Sequence, residues 1–174
     1  MPFVLLIALL SAAAASQGPV SANAKDILGH RLTADHIRGV AAVIRTMDGV
    51  PDRGPEMPRE DVTVFTVLAM SLPYNRPYTD QDVADMVQSI DSGMPALSSA
   101  ISKAGVTQRD YVLTQITLLV TYPVAVQRRA GKRTERPSHV SPENLAFLEA
   151  NWSAVDELMA DMNARVAAAR RDRP

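Results

Sequence analysis

"DYVLTQITLLVTYPVAVQRRAGKR", residues Asp110 to Arg133, decides how this chain is read. From Tyr111 to Gln127 there is no charged side chain, and basic residues follow at once. Such a run is either a membrane span with a basic anchor or the central helix of a bundle in water. A span needs about 20 predominantly apolar residues. This run is shorter, and Thr114, Gln115, Thr117 and Thr121 interrupt it with polar groups that are costly against lipid. Thr107 and Asp110 just before it stand at capping-box spacing, which suits a helix end in water. A helix apolar on most sides suits the middle of a bundle, where neighbours cover every face. Pro123 removes one backbone donor and crowds the carbonyl of Leu119. A bend over residues 121–123 is therefore expected, carrying the basic end to the surface. No membrane span is expected in the mature chain.

The segments on either side read as helices too. "RLTADHIRGVAAVIRTMDG" offers Thr33 as N-cap, with Ile37, Val40, Ala41, Ile44 and Met47 on one stripe. "DVTVFTVLAMSLP" is ambiguous: its Val, Thr and Phe favour a strand, yet its apolar residues do not alternate. With helices around it and no partner strand in sight, Val62 to Leu72 is read as a buried helix. Thr79 caps the next segment, whose stripe is Val83, Met86, Val87 and Ile90, with Gly93 as its stop. Pro95 opens a shorter helix with Leu97 and Ile101 inward and Gly105 as its C-cap. Ser141 and Pro142 open one long final helix, with an inward stripe of Leu145, Leu148, Trp152, Val155, Leu158 or Met159, Met162 and Val166. The fold class expected is all-α, an irregular bundle of five or six helices.

The N-terminus looks like an export signal. Phe3 to Leu10 is a short apolar core, followed by an Ala/Ser run, a Gly-Pro break and small residues. Cleavage after Ala22 or after Ala24 satisfies the small-x-small rule, although the n-region carries no Lys or Arg. The domain plan is a signal peptide over 1–22 and a single helical domain over 23–174. That places the mature chain in the periplasm of a bacterium or outside the cell.

Composition removes several chemistries. The 174 residues contain no cysteine, which excludes disulfides, thiolate metal sites and Cys nucleophiles. The formal net charge is -1, so no global field draws nucleic acid, and the few aromatics are not interleaved with basic residues. His30, His36 and His139 show no metal-ligand spacing, and Met159 with Met162 reads as packing rather than a copper site. No Glu-x-x-His pair, nucleophile elbow or glycine-rich phosphate loop occurs. No cofactor, metal site or catalytic residue is expected. The basic connection from Arg128 to His139 reads as a solvated surface rather than the partner of the acidic stretch from Asp48 to Asp91.

Four aromatic residues, Tyr111, Tyr122, Phe147 and Trp152, stand on the last two helices and either line a ligand pocket or fill the core. "AGVTQRDYVLTQITLL" and "VSPENLAFLEAN", through Gly105, Thr107, Tyr111, Val112, Ser141, Pro142, Asn144 and Phe147, resemble paired segments of an uncharacterised family of small exported all-helical bacterial proteins. The resemblance covers the C-terminal half, implies a helical exported fold, and transfers no activity. Three functions stay open: a non-enzymatic binding or interaction module with a protein partner, a carrier of a small apolar ligand between the last two helices, and an enzyme. The enzyme would need at least two titratable groups converging in a cleft with shifted pKa values.

Overall fold

Thr33, Thr79, Thr107 and Ser141 each start a helix. Their hydroxyls accept the backbone N–H three residues on, at 3.3 Å from His36, 3.3 Å from Asp82, 3.0 Å from Asp110 and 3.0 Å from Asn144. At Thr79 the box is reciprocal, because the Asp82 carboxylate accepts the Thr79 N–H at 2.8 Å. The computed structural model describes residues 20–51, 58–71, 77–132 and 135–171. These carry eight α-helices and, among the described residues, no strand: the fold is all-α. The helices are α1 (Lys25–Gly29), α2 (Ala34–Met47), α3 (Glu60–Ser71), α4 (Asp80–Gly93), α5 (Pro95–Lys103), α6 (Gln108–Arg129), α7 (Pro142–Ala150) and α8 (Trp152–Arg171).

The apolar run of α6 is the axis of the bundle. Helices α1, α2, α3, α4, α5 and α7 all pack on it, and every residue from Tyr111 to Tyr122 is buried. That enclosure by sibling helices is what a helix without a polar face requires. No helix among the described residues is long and apolar enough to cross a membrane. The helix continues through Pro123, and Arg128 and Arg129 reach the surface as expected. It ends in a left-handed Gly131 at φ 73°, with the Lys132 N–H bonded to the Gln127 carbonyl at 3.0 Å and the Gly131 N–H to the Arg128 carbonyl at 2.9 Å. Gly105 at φ 72° closes α5 in the same manner.

Of the segment from Val62 to Leu72, the residues up to Ser71 lie on a helix, α3, with Val62, Val64, Phe65 and Leu68 in the core, and Leu72 lies outside the described residues. Two expectations need correcting. The final segment is two helices rather than one, broken at Asn151. The Asn151 side chain donates to the Phe147 carbonyl at 2.9 Å, the same carbonyl that accepts the Asn151 N–H at 3.0 Å. This local bond competes with helix continuation, and α8 starts afresh at Trp152. The short α1 was also not foreseen, so there are eight helices among the described residues instead of five or six.

What α1 lacks in sequence signals is supplied from a distance. The carboxylate of Asp80 accepts the N–H groups of Asp26 at 3.2 Å and Ile27 at 3.4 Å. Glu60, buried at the start of α3, accepts the Leu97 N–H at 2.7 Å in the first turn of α5. Asn144 accepts the Leu32 N–H at 2.8 Å and donates to the His30 carbonyl at 2.9 Å, which pins the α1–α2 connection to α7. The carboxylate bonds from Asp80 and Glu60 are charge-assisted and contribute about 1.5–3 kcal/mol each, and the neutral Asn144 bonds about 0.5–1.5 kcal/mol each. Elsewhere α2 approaches the α5–α6 connection so closely that a Cβ on Gly39 would lie 2.6 Å from Val106 Cγ1.

Candidate functional site

The four aromatics do not converge on one pocket. Tyr122 and Trp152 stack with ring centroids 5.5 Å apart and planes 11° from parallel. The Arg129 guanidinium carbon lies 4.6 Å from the Trp152 ring centroid, and the Tyr122 hydroxyl donates to Asp156 at 2.5 Å. Burial, and then the Asp156 carboxylate, push the Tyr122 phenol above its ordinary pKa. Phe147 is half-buried and packs against the core from α7. Tyr111 stands eleven residues before Tyr122 on α6, roughly 16 Å away along the axis.

Tyr111 faces a second, separate environment. It lines a cavity of only about 10 Å³ together with Ile44, Asp61, Val62, Phe65, Met162 and Arg165. That volume holds about one water molecule. Among the described residues, the buried Tyr111 hydroxyl and both polar atoms of Gln115 one turn further along meet no hydrogen-bond partner. Burial raises the Tyr111 phenol, and the nearby Asp61 charge adds to the rise.

An ion network frames this cavity. Arg59 grips Asp61 with a two-pronged contact, Nη2 to Oδ2 at 3.0 Å and Nε to Oδ1 at 3.2 Å. The Arg59 Nη1 also donates to the Met47 carbonyl at 3.2 Å and to Asp48 at 3.3 Å. Arg165 reaches from α8 to Asp48 at 2.5 Å and to Asp161 at 3.0 Å. Desolvation raises the Asp61 carboxyl even so, because burial outweighs the attraction of Arg59. Asp48 is exposed and moves the other way, held below its ordinary value chiefly by its hydrogen bond from Arg165. Asp61 and Tyr111 are thus two titratable groups with shifted pKa values facing one space, but that space admits no substrate.

The histidines are better ordered than their spacing suggests. The rings of His30 and His36 stack 4.7 Å apart, and His30 Nε2 lies 3.2 Å from Thr114 Oγ1. Burial first, then the neighbouring His36, lower the His30 pKa to about 4. Among the described residues no three His, Asp or Glu side chains converge as a metal ion would need.

The larger opening lies elsewhere, where the N-terminal segment crosses the fold. It is a groove of about 420 Å³, within the size range of small-molecule sites. Val20, Ser21, Ala22, Leu28, Pro77, Ser138 and His139 line it. Val20 is placed by an isolated parallel bridge with Tyr78, in which the Ser21 N–H bonds to the Tyr78 carbonyl at 2.8 Å. Tyr78 is itself fixed, its hydroxyl donating to the carbonyl of Leu68. Leu28 is held by α1, which Asp80 caps. A turn closed by the Val140 N–H on the Pro137 carbonyl at 3.0 Å presents Ser138 and His139. Burial lowers the His139 pKa, so its imidazole is neutral at pH 7 and can both donate and accept.

No known protein family matches this chain, and no curated protein or solved structure is significantly similar to it.

Sequence reasoning centred on the aromatics and missed the groove. Its walls are a Val, a Leu, a Pro, two serines, an Ala and a His from three distant segments, and no spacing links them. The basic connection behaves as a surface feature: Arg128 pairs with Glu149 at 3.6 Å, and Arg136 donates to the Val140 carbonyl.

Proposed function

We propose that the protein is exported and serves as a non-enzymatic binding module, with the groove beside Val20 as its contact surface. The observation that carries this reading is the contrast in space: the groove measures about 420 Å³, while the cavity at Tyr111 measures about 10 Å³. Apolar walls from Val20, Leu28 and Pro77 suit an aliphatic or aromatic group. Hydroxyls of Ser21 and Ser138 and the neutral imidazole of His139 suit one hydrogen-bonding end of the same ligand. The occupant is a small, mainly apolar molecule or a side chain of a partner peptide.

The carrier reading places its ligand between the two long C-terminal helices opened by Thr107 and Ser141, and the cavity beside Tyr111 has room only for about one water. The enzyme reading has Asp61 and Tyr111, but their cavity gives a substrate no room. Export is supported by the apolar Phe3–Leu10 core and the small residues after it, and the resemblance to an exported helical family points the same way. Native mass spectrometry of the mature protein purified from its host tests the reading. A bound species that is retained by wild type and lost on Leu28→Asp supports it, and a species unaffected by that change refutes it.

A further inference from the structure

We infer that signal cleavage falls N-terminal to Val20, within the Ala/Ser run, and that Val20 to Ala24 belongs to the mature fold. This rests on the export reading above and moves the processing site that the small-x-small rule alone placed after Ala22 or Ala24. The fold uses Val20 and Ser21, which either cut would remove, and Ala24, which the later cut would remove. Val20 and Ala24 are buried, at 6% and 1% exposure. The Ser21 N–H closes the bridge to Tyr78 at 2.8 Å, and the Ser21 carbonyl accepts the Ala24 N–H at 3.1 Å. The Ser21 hydroxyl also accepts the Asn23 N–H at 3.3 Å, which sets the turn leading into α1.

Cleavage after Ala22 would delete the Val20 side chain from the core and all three of those hydrogen bonds. Cleavage after Ala24 would in addition remove the carbonyl that accepts the Leu28 N–H at 3.0 Å in α1. Either cut would strip Val20, Ser21 and Ala22 from the lining of the groove. The complete lining therefore requires a chain that keeps Val20.

The sequence supplies such a cut. Phe3 to Leu10 is the apolar core, and residues 11–16 read Ser-Ala-Ala-Ala-Ala-Ser. Small residues stand at both required positions for cleavage after Ala13, Ala14, Ala15 or Ser16, the cut after Ala15 using Ala13 and Ala15. Those bonds lie closer to the apolar core than Ala22 does. Pro19 stands between them and Val20, a residue that favours extended chain before the bridge with Tyr78.

The experiment is expression of the full gene in a Gram-negative host, followed by fractionation and intact-mass measurement of the exported protein with N-terminal sequencing. The proposal expects a first residue between Ala14 and Gln17. A first residue of Asn23 or Lys25 overturns it while leaving export intact. A chain that keeps Phe3–Leu10 and stays in the cytosol overturns the export reading and this proposal with it.

Discussion

The cavity beside Tyr111 and the groove beside Val20 are both lined by apolar side chains, yet they arise in opposite ways. The first is what remains where α2, α3, α6 and α8 meet: regular helices interdigitate, and the leftover space is about 10 Å³. The second forms where irregular chain crosses helix ends, and extended segments and turns cannot fill space so closely. Its volume is about 420 Å³. Tyr111 and Phe65 line the packed centre, Tyr122 and Trp152 stack further along α6, and the opening is lined by small and medium side chains. Following the aromatic residues alone does not lead to the groove.

The sharpest way to break that contrast is to hollow out the packed centre. Tyr111→Ala is expected to cost about 3–5 kcal/mol, because the ring is fully buried and the helices around it relax only in part. A drop in melting temperature of roughly 2–4 °C per kcal/mol reads it out. If the loss is under about 1 kcal/mol, the centre is not packed as described.

Removing a distant cap tests a helix end beside the packed centre. Glu60→Ala leaves the Leu97 N–H at the start of α5 without its carboxylate acceptor, at a cost of about 1–3 kcal/mol. Urea unfolding of the variant against wild type measures it, and an unchanged midpoint would show that α5 caps itself.

Acid distinguishes the two regions next. The His30 pKa is lowered to about 4 from 6.5, so between those values the unfolded chain binds more protons than the folded one. The stabilising effect is complete above about pH 6.5 and is lost as pH falls toward 4. Its size is on the order of 1 kcal/mol once solvent screening of a partly exposed ring is allowed for. Thermal melts from pH 7 to pH 4.5 follow the loss, and His30→Gln is expected to flatten it.

The smallest effects come from single hydroxyls. Tyr122→Phe removes a bond to Asp156 and is expected to cost about 1 kcal/mol. Tyr111→Phe removes a hydroxyl that has no partner among the described residues, so it is expected to be neutral or slightly stabilising. Equal costs for the two substitutions would mean that the Tyr111 hydroxyl is bonded through a buried water.

Much of the fold was legible because it depends on local signals. Thr33, Thr79, Thr107 and Ser141 cap within one turn of their own positions, and Gly105 supplies the left-handed residue its helix end needs. The uncharged run of α6 announced its burial directly. The break at Asn151 was not legible, since Asn is also tolerated within helices and only its bond to Phe147 ends α7. The caps from Asp80, Glu60 and Asn144 span 37 to 114 residues, and no local pattern reports such distances. The four aromatic residues lie on α6, α7 and α8, the last two formed from the segment read as one helix. The groove was invisible, because its chemistry is ordinary and its position depends on the chain path.

Chemical-shift mapping tests the central claim most directly. The mature protein, labelled with ¹⁵N, is titrated with a panel of small apolar fragments bearing one hydrogen-bonding group. The account predicts that the largest shifts cluster at the amides of Ser21, Ala22, Leu28 and His139. Shifts clustered at Tyr111, Tyr122 and Trp152, with the groove unmoved, would contradict it.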